Sequence, residues 1–157
     1  MYDLMIIGSG PAGISAALTA KARNLNFIWF GSRALSTKIE KAEKIMNYPG
    51  LPTVTGSEMQ SVFLKQIDDC GITITEAQVN SIYDCGGYFA AGADNEIYEA
   101  KAVIMTVGMT TTREIEGEAR LLGCGVSYCA TCDGALYKNK DIAVICASPK
   151  FLSLIHI

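Results

Sequence analysis

Apolar residues at the start of the chain fall into two short runs, separated by an alanine-rich stretch whose apolar positions have helical spacing. The run YDLMIIG ends at Gly8 and predicts a buried strand, and the run NFIWFG ends at Gly31 and predicts a second one. Between them, the stretch GPAGISAALTAKARN predicts a helix that ends near Asn24. A strand, a helix and a strand within about 30 residues have the size of a βαβ unit with parallel strands.

The middle of the chain predicts a long connection followed by a second helix. The segment SRALSTKIEKAEKIMNYPGLPTVTG contains Pro49, Gly50 and Pro52, which predicts an irregular loop, and loops of this length are usually functional. The next segment, SEMQSVFLKQIDDCG, has the pattern of an amphipathic helix. Ser57 is its predicted N-cap and Gly71 its stop signal.

After this helix the pattern changes to short alternating runs, which predict further strands. The runs are ITITEA, VNSIYDC, YFAAGA and EIYEA, with turns predicted at Gly86-Gly87 and Asp94-Asn95. KAVIMTVG predicts another buried strand, and KDIAVIC predicts the first strand of a new unit. We therefore predict an α/β fold, in which a Rossmann-like βαβ domain with an added β-meander is followed by the start of a second α/β domain.

Composition and charge narrow the class of protein. Half of the 157 residues are hydrophobic and 18% are charged, which is typical of a globular chain with a core. The net charge is -3 and the 13 Lys and Arg residues are scattered, so we predict no nucleic-acid binding. No apolar run has membrane-spanning length and the N-terminus lacks a basic signal region, so we predict a cytoplasmic protein without a membrane segment.

The six cysteines and the last residues of the chain also bear on its chemistry. In a reducing compartment, six cysteines do not favour a structural disulfide framework, and some of them are candidates for reactive or metal-bound thiols. The ending LSLIHI matches the translation of a transposon-end sequencing adapter, so residues 152–157 are expected to be non-native. The only histidine, His156, would then carry no chemistry.

The turn between the first strand and the first helix reads GSGPAG, with Gly8, Gly10 and Gly13 in G-x-G-x-x-G spacing. At a strand-to-helix turn this spacing points to a bound dinucleotide. Gly8 permits the tight turn, Gly10 lets a pyrophosphate approach the backbone, and Gly13 lets the helix pack closely on the strand. The helix N-terminus would supply N–H groups and a partial positive charge to the phosphates. The alternative is a glycine-rich turn without a ligand.

One element of the dinucleotide pattern is missing. The acidic residue usual at the end of the second strand is absent, since Phe30, Gly31 and Ser32 stand there. The ribose contact must therefore be made in some other way, and a site that relies on that carboxylate is disfavoured.

The stretch SYCATCDGALY carries the second candidate site. Cys129 and Cys132 are separated by two residues, and a disulfide between cysteines so spaced closes a short, strained loop that reduces readily. A helix starting at this segment would favour the thiolate form, and Asp133 is placed to carry a proton when one sulfur leaves.

Two alternatives for these cysteines stay open. A structural zinc site needs four ligands, whereas Cys124, Cys129 and Cys132 supply three. Inert buried thiols are the other alternative, and this is the interpretation we favour for Cys70, Cys85 and Cys146.

Four segments taken together resemble the low-molecular-weight, bacterial-type thioredoxin reductases, which are FAD-dependent pyridine nucleotide-disulfide oxidoreductases. They are MYDLMIIGSGPAG, NYPGLPTVTG, AVIMTVG and GVSYCATCDGALYKNKDIAVI, in the family's order. The resemblance extends from Tyr2 to about Ile145, and CATCDG is its most specific part. It implies an FAD domain with an inserted pyridine-nucleotide domain, reduction of thioredoxin or a similar small protein, and a homodimer at full length.

The resemblance also implies roles for single residues. Near the cofactor it places Gly8, Ser9, Gly10, Pro11, Ala12 and Gly13 at the pyrophosphate, Asn47 near the flavin ring, Val79 near the adenine, Lys38 in contact with FAD, and Thr106, Val107 and Gly108 along it. In the redox pair it assigns Cys132 to the flavin side and Cys129 to exchange with the substrate disulfide. Asp133 is the implied acid/base.

Two departures from the family concern the electron donor. Ser36, Thr37 and Lys38 stand where the family has Gly-Gly-Gln, and positions 146–150 contain no glycine where the family has a second glycine-rich loop for NADPH. These features are similar to the flavin-type thioredoxin reductases that take electrons from reduced ferredoxin. The donor is therefore left open between NADPH and ferredoxin.

The resemblance also divides the chain. Residues 1–114 are expected to form an FAD-binding domain that lacks a C-terminal segment, and residues 115–151 to begin a second nucleotide-binding-like domain that carries the cysteine pair. The 157-residue chain alone is then expected to bind FAD poorly and to turn over nothing. The contrasting hypothesis is a non-catalytic flavin- or metal-binding fragment.

Overall fold

The computed structural model describes residues 1–108, 115–128 and 133–145. These residues divide into two compact units. The first lies within Met1–Thr37 and Gln60–Thr111, and the second within Lys38–Met59 and Thr112–Ile157. The functional assignment of residues 1–114 and 115–151 to two domains stays a prediction.

The first unit is built on a five-stranded sheet. The strands are β1 (Tyr2–Ile7), β2 (Phe27–Phe30), β3 (Val79–Asp84), β4 (Phe89–Ala93) and β5 (Glu96–Met105). Their order in the sheet is β2-β1-β5-β4-β3. β1 runs parallel to β2 and to β5, whereas β3, β4 and β5 form an antiparallel meander. The predicted α/β class with an added β-meander is confirmed.

The predicted βαβ unit is also confirmed, with α1 (Pro11–Ala22) between β1 and β2. Pro11 suits the first helical position because a proline lacks only an N–H that would have no partner there. Ile14, Ala17 and Ala20 recur at helical spacing and are buried. This buried face holds α1 against β1, β2 and β5.

The core beside the meander fixes β1, which leads into the glycine loop, and its neighbour β2. Met5, Ile7, Ile28 and Phe30 pack there with small residues of the meander, namely Ala91, Ala93 and Ala100. The alternate residues of the two strands face the other way, and among them Trp29 is fully buried. Since both faces of β1 and β2 are buried, the ends of these strands are held in fixed positions next to the loop.

β5 differs from the sequence prediction in two ways. EIYEA and KAVIMTVG were predicted as separate strands, but one strand covers both, pairing with β4 through its first half and with β1 through its second. Its partners change at Ala100, where no glycine or proline breaks the backbone. The prediction that KAVIMTVG is buried is wrong, because Ile104 and Met105 are 39% and 62% exposed among the described residues.

The run ITITEA was predicted as a strand, and this prediction is wrong. Only Thr75 pairs, in an isolated parallel bridge with Phe30. The Thr75 N–H donates to the Trp29 carbonyl at 2.7 Å, and the Gly31 N–H donates to the Thr75 carbonyl at 3.2 Å. The alternating pattern is that of a strand, but only Thr75 reaches a pairing position at the outer edge of β2, next to its last residue.

The second predicted helix is present as α3 (Gly56–Asp69), but its N-cap is Thr55, not Ser57. The Glu58 N–H donates to Thr55 Oγ1 at 3.2 Å, and the Thr55 N–H donates to the Glu58 carboxylate at 2.8 Å. This reciprocal pair is a capping box, and it needs the glutamate three residues after the cap. The predicted stop at Gly71 is confirmed by its left-handed φ of 60°.

Apart from the first turn of α3, the described residues of the second unit form short elements. α2 (Thr37–Glu40) opens the connection that was predicted to be irregular, and Ile45 and Tyr48 then form isolated bridges with Val54 and Leu51. α4 covers Glu118–Leu121, and a 3₁₀ helix covers Gly134–Tyr137. No helix among the described residues is long and apolar enough to cross a membrane.

The prediction that KDIAVIC forms a strand is wrong for residues 141–145, which adopt no regular structure. A strand needs a neighbour to satisfy its backbone groups, and no described segment pairs with this one. Its apolar side chains accordingly lie in solvent, with Ile142 58% and Ile145 77% exposed.

Candidate functional site

The glycine loop lies at the carboxyl end of β1, where the strand order reverses. From β1 the chain passes through α1 to β2 on one side, and β5 returns to the other side of β1. In open parallel sheets, ligands bind at such a switch point, outside the carboxyl ends of the strands. The topology therefore places the loop where a ligand is expected.

Two of the three glycines are required by the protein's own packing. Gly8 has a φ of 111°, and a Cβ on it would collide with the carbonyl oxygen of Thr106. A Cβ on Gly13 would collide with the carbonyl oxygen of Gly8. The predicted roles of Gly8 in the tight turn and of Gly13 in close packing agree with these contacts.

The carbonyl of Gly8 accepts hydrogen bonds from two side chains, one in β2 and one directly after β5. Trp29 Nε1 donates to it at 2.9 Å and Thr106 Oγ1 at 3.0 Å. The Thr106 hydroxyl lies equally close to the Ile7 carbonyl, at 2.9 Å. The family resemblance implies that Thr106 lies along the cofactor. It gives Trp29 no role, and the contact of Trp29 with the loop depends on the β1–β2 register.

Ser9 holds the loop to the turn that follows β2. Its side chain is buried, and its Oγ donates to the Leu35 carbonyl at 3.1 Å and accepts the Ser32 N–H at 3.0 Å. A Cβ on Gly31 would come within 2.5 Å of the Ser9 Cβ. The hydroxyl of Ser9 is thus engaged within the protein, and position 31 has no room for a side chain.

Gly10 is different from the other two loop glycines. Its φ of -72° and ψ of -179° suit any residue, and a Cβ on it would meet no described atom within 4 Å. It precedes Pro11 at the N-terminus of α1, where the N–H groups of Ala12 and Gly13 have no intrahelical acceptor. Open space above free N–H donors fits a pyrophosphate, so the residues present suit a dinucleotide.

A shallow, solvent-open cleft that the sequence did not indicate lies at the end of β2, with a volume of about 450 Å³. Its lining residues are Gly31, Ser32, Glu76, Ala77, Gln78 and Asp94. Glu76 Oε1 accepts the Arg33 N–H at 2.8 Å. Nothing in the sequence places Glu76 here, because its position follows from the single bridge between Phe30 and Thr75.

Two further predicted cofactor residues lie in the first unit. Val79 begins β3, pairs with Ala93 and packs against the core. Gly108 has a left-handed φ of 68° just beyond β5. Their predicted contacts with FAD stay predictions.

In the second unit, Lys38 and Asn47 are both exposed. The Lys38 ammonium lies 5.4 Å from the centroid of the Tyr128 ring, within the range of a cation–π contact. Asn47 lies between the residues of two isolated bridges, Ile45 and Tyr48. Their predicted contacts with the cofactor stay predictions.

Cys129 and Cys132 lie outside the described residues, but the residues on both sides of them are described. Tyr128 donates its hydroxyl hydrogen to the buried Glu118 carboxylate, which also accepts the Ile115 N–H at 2.6 Å. These two hydrogen bonds, the tyrosine's first, lower the pKa of Glu118. On the other side, the Ser127 hydroxyl donates to the Asp133 carboxylate.

The other described cysteines correct one expectation. Cys70 and Cys85 were predicted to be buried core thiols, but both are exposed and free, as is Cys124. Cys70 directly follows α3 and Cys85 directly follows β3, so both lie in surface connections. Within the described ranges, no three His, Cys, Asp or Glu side chains are grouped to hold a metal ion.

Comparison with known proteins identifies the class of this fold and loop. Residues 2–149 match the family model described as pyridine nucleotide-disulphide oxidoreductase, and the chain belongs to that family. Within it, the chain resembles thioredoxin reductases, as predicted. It is 32% identical over 146 residues to the thioredoxin reductase of Bacillus subtilis, covering 92% of this chain and 46% of that protein.

Solved structures agree with this relationship. The ferredoxin-flavin thioredoxin reductase from Clostridium acetobutylicum shares 48% identity at a TM-score of 0.70, covering 87% of this chain and 48% of the other. The thioredoxin reductase from Streptococcus pyogenes shares 35% identity at a TM-score of 0.75, covering 87% and 45%. The chain thus spans about half the length of these relatives.

Proposed function

We propose that this chain is part of an FAD-dependent disulfide reductase that passes electrons through FAD to the Cys129–Cys132 pair and on to thioredoxin or a similar small protein. The observation that carries the proposal is the open space at Gly10, above the N-terminus of α1. A dinucleotide is what such a loop binds at the switch point of a parallel sheet. Family membership supports the same conclusion.

The residues of the first unit would bind the cofactor. The N–H groups of Ala12 and Gly13, with the positive end of the helix dipole, would stabilise the pyrophosphate charge. Ser9 would keep the loop in place, since its hydroxyl is already bonded to Leu35 and Ser32. When bound, FAD supplies the two-electron chemistry that links a donor to a disulfide.

The residues around the cysteine pair would carry out thiol exchange. The Cys129 thiolate would attack the substrate disulfide, and Cys132 would then attack the mixed disulfide, so that two substrate thiols form as the Cys129–Cys132 disulfide closes. Asp133 would take the proton that the Cys132 thiol loses as it attacks and pass it to the substrate thiolate that departs, while solvent protonates the other substrate thiolate. The hydrogen bond from Ser127 would orient the Asp133 carboxylate for this transfer.

Reduced ferredoxin is the donor favoured by one specific observation. Identity to the ferredoxin-flavin thioredoxin reductase is 48%, against 35% and 32% to two of the thioredoxin reductases. Positions 146–150 also lack the glycines that a second phosphate-binding loop for NADPH would use. Anaerobic mixing of the protein from the whole gene with NADPH or with reduced ferredoxin tests this, because only the true donor should bleach the flavin.

We further propose that the full-length protein is a homodimer, as the resemblance implies, and that it is cytoplasmic, as predicted from the sequence. Sedimentation of the whole-gene product at several concentrations tests the dimer, which should persist on dilution.

Serine substitutions in the whole-gene product test the disulfide chemistry. Cys129→Ser and Cys132→Ser should each abolish reduction of the substrate disulfide while FAD stays bound, because neither variant can close the disulfide. The exposed Cys70, replaced in the same way, is the matched control and should leave turnover unchanged. Full turnover in Cys132→Ser would contradict the assignment.

A further inference from the structure

The cleft at the end of β2 raises the question of how this chain would hold the ribose of a dinucleotide. In βαβ dinucleotide sites, an acidic residue at the end of the second strand accepts hydrogen bonds from the ribose hydroxyls. Here that position holds Gly31 and Ser32. A Cβ on Gly31 would come within 2.5 Å of the Ser9 Cβ and 2.7 Å of the Ser9 Oγ, so position 31 has no room for the usual carboxylate, and Ser32 supplies none.

A different part of the chain brings a carboxylate to the same place. Thr75 bridges to Phe30, and its carbonyl accepts the Gly31 N–H at 3.2 Å. Glu76 is the next residue, and its Oε1 accepts the N–H of Arg33, in the turn after β2, at 2.8 Å. The Glu76 carboxylate is therefore fixed at the carboxyl end of β2 by backbone contacts on both of its sides.

We propose that Glu76 is the ribose-binding carboxylate of this site and that the cleft takes the adenosine half of the dinucleotide. An ionised carboxylate has about four acceptor positions, of which the Arg33 N–H uses one, so two ribose hydroxyls can be accepted as well. The cleft is shallow and open to solvent, and its volume of about 450 Å³ leaves space for a nucleoside to lie across it. This inference rests on the proposed FAD binding and adds to it the residue that reads the ribose.

The charges around the cleft define which adenosine fits. Glu76 and Asp94 both line it, and two carboxylates repel a ribose that carries a 2′-phosphate. The Arg33 guanidinium does not offset them, because it makes two hydrogen bonds of 3.0 Å to Asp68. The cleft should therefore select the free 2′-hydroxyl of FAD or ADP over the phosphorylated ribose of an NADPH-type nucleotide.

The competing explanation is that Glu76 only caps the turn after β2 through Arg33. A cap stabilises the fold but has no means of sensing a ribose hydroxyl. The two roles are separated by comparing FAD with an analogue that carries 2′-deoxyadenosine, since removing one hydroxyl from the ligand leaves the protein unchanged.

The experiment measures dissociation constants of both flavins for the apoprotein of the whole-gene product, from the quenching of flavin fluorescence. The wild type should prefer FAD by about tenfold or more, as expected for a hydrogen bond to a charged group. Glu76→Gln should lose most of that preference. Glu99→Gln, which makes the same charge change on the exposed surface of β5, should keep it.

The results that contradict the inference are distinct from those that contradict FAD binding. Wild-type protein that binds both flavins equally, or Glu76→Gln that keeps the full preference, would overturn the role of Glu76 and leave the proposed function intact. Apoprotein that binds neither flavin would overturn both. The wild-type comparison needs no substitution, so it holds even where Glu76→Gln folds poorly. In a companion titration, ADP should displace FAD at lower concentration than its 2′-phosphorylated form.

Discussion

Three glycines share the loop after β1, yet they are glycines for different reasons. Gly8 and Gly13 are fixed by collisions that any side chain would cause with the loop or with Thr106. Gly10 has an ordinary backbone conformation and open space around its missing side chain. Nothing in the described part of the protein therefore requires a glycine at position 10, whereas a ligand lying against the backbone would require one.

This contrast predicts opposite outcomes for two identical substitutions. Gly10→Ala should cost at most about 1 kcal/mol of stability, the difference between glycine and alanine at an N-cap, yet weaken FAD binding about tenfold or more because the methyl group enters the phosphate space. Gly13→Ala should cost about 1–3 kcal/mol or more through overpacking. Thermal unfolding and flavin titration of the whole-gene product measure both effects. Unchanged FAD affinity in Gly10→Ala would remove the main support for the dinucleotide site.

The sequence predicted the glycine loop at the level of single residues but missed the side chains that hold it. The spacing of three glycines after an apolar run is a local signal. The bonds from Trp29 and Thr106 to the Gly8 carbonyl, and the placement of Glu76, depend on strand pairing between distant segments. Such contacts have no signature in the local pattern.

At the scale of elements, the sequence predicted helices and strands correctly where the spacing of apolar residues is clear. It failed where pairing with a neighbouring strand decides whether, and how far, a strand extends. β1, α1, β2 and α3 were all predicted, since each has a clear period and clear ends. The fusion of two predicted strands into β5 follows from its two different neighbours, β4 and β1. The run KDIAVIC has a strand's pattern but no described neighbour to pair with.

The N-terminus of α3 gives a matched pair of substitutions. Thr55→Ala should lower the free energy of unfolding by about 1 kcal/mol, because it removes the side-chain acceptor of the capping box. Ser57→Ala lies inside the first turn and should cost clearly less, although Ser57 Oγ is 3.1 Å from Thr55 Oγ1. Urea unfolding of both variants provides the comparison. Equal losses of unfolding free energy in the two variants would contradict the assignment of Thr55 as the N-cap.

The segment that leads to the cysteine pair predicts a pH dependence. The Tyr128 hydroxyl and the Ile115 N–H lower the pKa of Glu118 in the folded protein below its ordinary value of 4.5. Their stabilisation is therefore present above that value and is lost as the pH falls through the folded pKa. Tyr128→Phe should be less stable than wild type at about pH 6, and the difference should shrink at about pH 3.

The measurement is the urea unfolding free energy of both proteins at each pH. Tyr83→Phe is the control, because Tyr83 is 62% exposed. A deficit in Tyr128→Phe that is the same at both pH values would show that the tyrosine acts through packing alone.

At the scale of the whole molecule, the chain belongs to the pyridine nucleotide-disulphide oxidoreductases and spans about half the length of its thioredoxin reductase relatives. The end of β5 and the residues just after it are partly exposed, with Met105 62% and Val107 60% accessible. The expectation that the 157-residue chain alone binds FAD poorly and turns over nothing stays a prediction.

Anaerobic dithionite titration of the FAD-loaded, whole-gene protein tests the central claim most directly, when free thiols are counted alongside the flavin absorbance. The account predicts a yellow protein in which two new thiols appear per flavin as the flavin is reduced, and in which Cys132→Ser gains none. A colourless protein, or a flavin that is reduced without any new thiols, would contradict it.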